Sequence, residues 1–142
     1  MMKPEKILYE TEIKATGGRE GRAESPDGQF SVALTIPKGL GGPGGEGTNP
    51  EQLFAAGYAA CFLSAFKLVS RQMKVTLPEE TTIVAKVGIG PVAAGYGLAV
   101  ELTANVPGFD RSQVQGLLEA AHERCPYSNA TRGNIEVKLT AS

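Results

Sequence analysis

The stretch TTIVAKVGIGPVAAGYGLAVELTANV, residues 81–106, decides the fold. Thr81–Ile89 and Leu98–Val106 each alternate apolar and polar residues, the period-two signature of a strand with one buried face. Gly90-Pro91 and Gly95-Tyr96-Gly97 between them supply turn residues. The stretch therefore reads as an antiparallel hairpin.

Working outward, each flank of the hairpin carries helical spacing. On the N-terminal side, NPEQLFAAGYAACFLSAF (49–66) opens with Asn49 as an N-cap and Pro50 at the first helical position. Glu51 and Gln52 then complement the unpaired N–H groups of the first turn, and the helix is expected to run to about Met73. The uncharged run from Leu53 to Phe66 is shorter than the ~20 residues a membrane span needs, and Lys67 and Arg71 follow it, so it reads as a buried core helix. On the C-terminal side, Val114, Leu117, Leu118, Ala121 and Cys125 recur three and four apart, predicting a helix from about Asp110 to Cys125. Pro126 disfavours helical geometry at the residue before it, which sets Cys125 at or near the helix end.

Further out, Leu8–Ala15 and Phe30–Ile36 alternate like strands around the turn Ser25-Pro26-Asp27-Gly28, and Ile135–Leu139 gives a short last strand. The order is strands, helix, hairpin, helix, strand: an α+β plan with two main helices against antiparallel sheet. At 142 residues the chain is expected to form a single domain, 1–142. The loop GLGGPGGEG (39–47) contains G-x-G-x-x-G at Gly39, Gly41 and Gly44. Pro43 falls where a helix should start, and Glu46 and Glu51 put negative charge where a pyrophosphate would bind, so the loop reads as flexible connection rather than a dinucleotide site.

Fourteen Lys and Arg balance fifteen Asp and Glu, leaving no general field for nucleic acid or an anionic membrane. The charged start MMKPEKILYE has no apolar run, so a cytoplasmic protein is expected. In a reducing compartment its two cysteines, Cys61 and Cys125, are not expected to form a permanent staple. Both lie on apolar stripes, and pattern alone leaves open whether they are packing or chemistry. A reactive Cys61 needs a nearby cation, because burial alone raises a thiol pKa; Arg19, among flexible glycines, is a candidate. A thiol at a helix C-terminus faces the negative end of the dipole, which makes Cys125 the poorer nucleophile. His122 is the only histidine, too little for a zinc site, and reads as a solvated helix-surface residue more readily than as the base of a Cys-His hydrolase.

Three segments taken together, ATGGREG around Arg19, GTNPEQLFAAGYAACF leading into Cys61, and CPYSNATRGN from Cys125, resemble the Ohr/OsmC family, specifically its organic hydroperoxide resistance branch. The resemblance covers nearly the whole chain. It implies an entwined homodimer with active sites at the subunit interface, and a thiol-dependent peroxidase for organic and fatty-acid hydroperoxides. By the resemblance, Cys61 is the peroxidatic cysteine, Cys125 the resolving cysteine, Arg19 the activating arginine and Glu51 the carboxylate that holds it. No bound cofactor or metal is expected; dihydrolipoamide or a lipoylated protein is the implied reductant. Phe54, Tyr58, Phe62, Phe66 and Tyr127 are candidates for an apolar substrate pocket. A non-catalytic peroxide sensor or fatty-acid-binding protein is the alternative.

Overall fold

A computed structural model describes residues 1–142, which fall into two compact units, 1–50 and 51–142. The first holds a three-stranded antiparallel sheet, β1 (Lys14–Thr16), β2 (Arg22–Glu24) and β3 (Ser31–Ala33), in that order. The turn between β2 and β3 is tied by the Asp27 carboxylate, which accepts from the Ser25 hydroxyl at 2.6 Å and the Gln29 N–H at 3.0 Å. These bonds hold its carboxyl below the usual carboxylate range.

Two expectations for this unit need correction. The strand over Leu8–Ala15 shrinks to Lys14–Thr16, and Leu8 and Tyr9 stand 88% and 82% exposed. Alternation makes a strand only where an edge is available to pair with, and residues 8–13 have none within the chain. The glycine-rich loop is not an open connection: the Gly42 and Gly44 N–H groups donate to Pro37 and Ile36 carbonyls at 3.1 and 3.0 Å. A Cβ on Gly42 would collide with Ile36, so glycine is required there for this close approach.

The second unit contains α1 (Pro50–Gln72), β4 (Thr82–Val92), β5 (Gly95–Asn105), α2 (Arg111–His122), α3 (Pro126–Thr131) and β6 (Val137–Ala141). β4 and β5 form the expected antiparallel hairpin. β6, however, pairs parallel to β5, so the sheet β4-β5-β6 is mixed. The helical connection from β5 to β6 is long enough to return the chain to the same end of the sheet, which is the condition for a parallel pair.

Register builds the core. Ile83, Ala85 and Val87 lie opposite Ala104, Leu102 and Val100, which in turn pair with Ala141, Leu139 and Val137. This nine-residue apolar face packs with Tyr58, Phe62, Phe66 and Val69 of α1 and with Val114, Leu117, Leu118 and Ala121 of α2. On the opposite face Glu101 sits between the facing rows, 3.2 Å from Lys138 Nζ and accepting from the Thr140 hydroxyl. By length and composition α1 could cross a membrane, but its i, i+4 stripe is packed into this core.

Both helix ends have identifiable causes. Asp110 caps α2, accepting from the Gln113 N–H at 2.8 Å. α1 stops where Lys74 adopts φ 57°, a left-handed conformation that lets the Val75 N–H return to the Ser70 carbonyl at 2.8 Å.

Candidate active site

The two cysteines belong to the same unit, Cys61 partly exposed on α1 and Cys125 fully buried, both as free thiols. They interact directly. Burial first, then the neighbouring Cys125 thiol, push the Cys61 pKa above the ordinary thiol value, while the Tyr127 backbone N–H pulls it back down. Cys61 is therefore a thiol set against its partner sulfur and a backbone donor.

Cys125 lies just past the end of α2, where its N–H donates to the Ala121 carbonyl at 2.9 Å. It takes an extended backbone, φ −67° and ψ 126°, as the residue before a proline does, and Pro126 then occupies the first position of α3. Cys125 thus stands between two helices, at the C-terminal end of α2 as expected and also at the start of α3, which was not. Complete burial also sets it apart from Cys61.

The other candidates divide. Arg19 lies in the first unit, partly buried in the tight turn Gly18–Glu20, with Gly17 and Gly18 at φ 74° and 58°. Glu51 stands in the first turn of α1. α1 is unbroken from Pro50 to Gln72, so Glu51 and Cys61 are about 15 Å apart along its axis. Tyr58, Phe62 and Phe66 are wholly buried and offer a ligand no surface in this conformation; Phe54 is partly buried and Tyr127 is 37% exposed. The Tyr127 ring sits edge-on to Phe54 at 6.1 Å and 5.6 Å from Tyr58, between centroids.

Gly57 makes room for that ring. A Cβ there would stand 2.5 Å from the Tyr127 hydroxyl and 3.0 Å from its Cζ, so what the glycine relieves is the phenol, not crowding of the Cys61 sulfur.

Sequence reasoning missed a buried polar cluster. The Tyr58 hydroxyl lies 2.9 Å from Ser128 Oγ and 3.1 Å from Thr131 Oγ1, and His122 Nδ1 lies 2.8 Å from Ser128 Oγ. His122 is thus partly buried rather than solvated, and its pKa is lowered by burial and by Arg132, against Glu123. Its Nδ1 is engaged to Ser128 on α3. Ser128 and Thr131, three residues apart and six and nine after the chain's single histidine, were the available signal.

The comparisons with known proteins agree with one another. The family model described as OsmC-like protein matches residues 42–140. An organic hydroperoxide resistance protein of Xanthomonas axonopodis pv. citri is 57% identical over 140 residues, covering 99% of each chain. The crystal structure of an organic hydroperoxide resistance protein from Elizabethkingia anophelis superposes with a TM-score of 0.89 at 54% identity, covering 96% of this chain and 98% of that one. One from Legionella pneumophila gives a TM-score of 0.89 at 47% identity, covering 96% and 99%.

Proposed function

The chain belongs to the OsmC-like family, in its organic hydroperoxide resistance branch, and from that premise we propose that it is a peroxidase whose two thiols turn over organic and fatty-acid hydroperoxides. The observation that carries the proposal is the direct interaction of a partly exposed Cys61 with a buried Cys125. One thiol is reachable by peroxide and the other is reachable by the first.

The Cys61 thiolate attacks the distal oxygen of ROOH. The O–O bond breaks, the leaving alkoxide takes a proton to give ROH, and Cys61 becomes a sulfenic acid. The Cys125 sulfur displaces the sulfenic oxygen, forming the disulfide and releasing water. Two thiols of dihydrolipoamide, free or on a lipoylated protein, reduce the disulfide and leave as lipoamide.

Burial works against the first step, so a cation has to oppose it. Arg19 supplies that charge and donates to the peroxide oxygens, and Glu51 orients its guanidinium. With α1 unbroken, an Arg19 that meets both Glu51 and Cys61 draws on both subunits of a homodimer. The exposed Leu8 and Tyr9, and the exposed Ala56, Ala60 and Leu68 on the outer side of α1, are apolar surface suited to that assembly. Phe54 and Tyr127 wall the approach to Cys61 and favour an alkyl or aryl tail, at about 0.8 kcal/mol per buried methylene. The working compartment is the cytosol, where lipoylated reductant keeps the pair reduced.

The test is a stopped-flow titration of free thiols after one equivalent of cumene hydroperoxide or hydrogen peroxide. Loss of both thiols per chain, much faster with the organic peroxide, is expected. Cys61→Ser should remove all reactivity, and Cys125→Ser should react once and then over-oxidise. Two thiols that persist in the wild-type protein overturn the proposal.

A further inference from the structure

The polar cluster beside the cysteines is continuous: His122 Nδ1 lies 2.8 Å from the Ser128 hydroxyl, which lies 2.9 Å from the Tyr58 hydroxyl, and Tyr58 lies 3.1 Å from the Thr131 hydroxyl. Two proton arrangements satisfy it: one runs from a His122 Nδ1–H to Thr131 and on to the Ser128 carbonyl at 3.2 Å, the other from Thr131 back to an unprotonated Nδ1. Tyr58 and Ser128 are fully buried and Thr131 nearly so, and no buried polar side-chain atom is left without a partner. Arg132 adds a bond to the His122 carbonyl.

The chain joins the elements that carry the thiols. Tyr58 lies three residues before Cys61 on α1. His122, the last residue of α2, lies three residues before Cys125, and Ser128 on α3 lies three after it. α3 has six residues, too few to hold a helix by its own hydrogen bonds, so its place depends on what ties it down. We infer that the buried chain linking His122, Ser128, Tyr58 and Thr131 is a clamp that sets Cys125 against Cys61, making His122 and Ser128 positioning residues for disulfide closure. A fully satisfied buried network specifies one arrangement, which is what a step between two fixed sulfurs requires.

The inference rests on the peroxidase reading for its catalytic meaning, and the experiment separates the two. In wild-type protein, 15N NMR of His122 should show a neutral ring held in a single tautomer by its bond to Ser128; a ring exchanging between tautomers like free imidazole overturns the clamp without any variant. Sulfenic acid formation and disulfide closure are then timed separately after one equivalent of cumene hydroperoxide, with dimedone to trap open Cys61. Ser128→Ala and His122→Ala should keep the first step within about twofold of wild type and slow closure roughly tenfold, the size of one lost buried hydrogen bond, with more dimedone adduct. His122→Asn, whose amide can place a donor or an acceptor close to the position of Nδ1, should recover most of the closure rate. Equal slowing of both steps marks general loosening and overturns the clamp, as does unchanged closure. If wild-type Cys61 ignores peroxide, the peroxidase reading falls. Closure is then driven by glutathione disulfide, and the same ranking of variants upholds or overturns the clamp.

Discussion

At Gly57 a hydrogen stands where any other residue would place a carbon against the Tyr127 phenol. Gly57→Ala should push that ring outward, which its partial exposure permits, at a cost of about 1 kcal/mol for the displaced aromatic contacts. The larger effect is on selectivity. With the ring swung away, the preference for cumene hydroperoxide over hydrogen peroxide should fall, and a ratio equal to wild type would show that Tyr127 does not wall the site. A second residue-scale prediction concerns charge. Burial and Cys125 raise the Cys61 pKa, which lowers the thiolate fraction at neutral pH. On the proposed role of Arg19 as the opposing cation, Arg19→Ala should drop the peroxide rate at pH 7 by about tenfold per pKa unit lost, with recovery as pH rises into the alkaline range. A pH-rate profile superimposable on wild type would remove Arg19 from its role.

Helix ends and strand pairings carry the next level. Lys74 pays the strain of a left-handed residue at the end of α1. Lys74→Gly should therefore raise stability by about 1 kcal/mol, read as an increased Tm. The hairpin was legible because its alternation persists through the long run of β4 and β5, enough to fix which residues face inward. Leu8–Ala15 was read as alternating too, but pairing depends on an edge that sequence cannot locate. β2, with three residues, is too short to show a period. The direction of β6 was hidden because IEVKL alternates identically in a parallel or an antiparallel pair, and the preceding connection decides. Pro126 was read as a stop signal and is also a start signal, so α3 went unrecognised after the end of α2. The thiol pair was visible as two cysteines on apolar stripes. The His122 cluster was not, since its burial depends on where that unrecognised helix docks.

For the whole molecule, apolar surface left uncovered on one chain is the main physical pressure. The Leu8–Tyr9 segment and the outer side of α1 should be covered in a homodimer. Sedimentation should give a dimer at micromolar concentration, and Leu8→Glu with Tyr9→Glu should shift it toward monomer and cut peroxidase turnover together. A monomeric, fully active wild type would oppose this. The contrast in burial between the two sulfurs has a practical outcome as well. A native chain presents an alkylating reagent with one sulfur it can reach and one at 0% exposure that it cannot. Alkylation of Cys125 has to wait until α3 lifts away, so its rate, compared with that of a free thiol, measures the free energy of that local opening. The protein thus carries a gauge of its own integrity: the second alkylation, counted by mass, reports how often the fold breathes at the place where its chemistry is held.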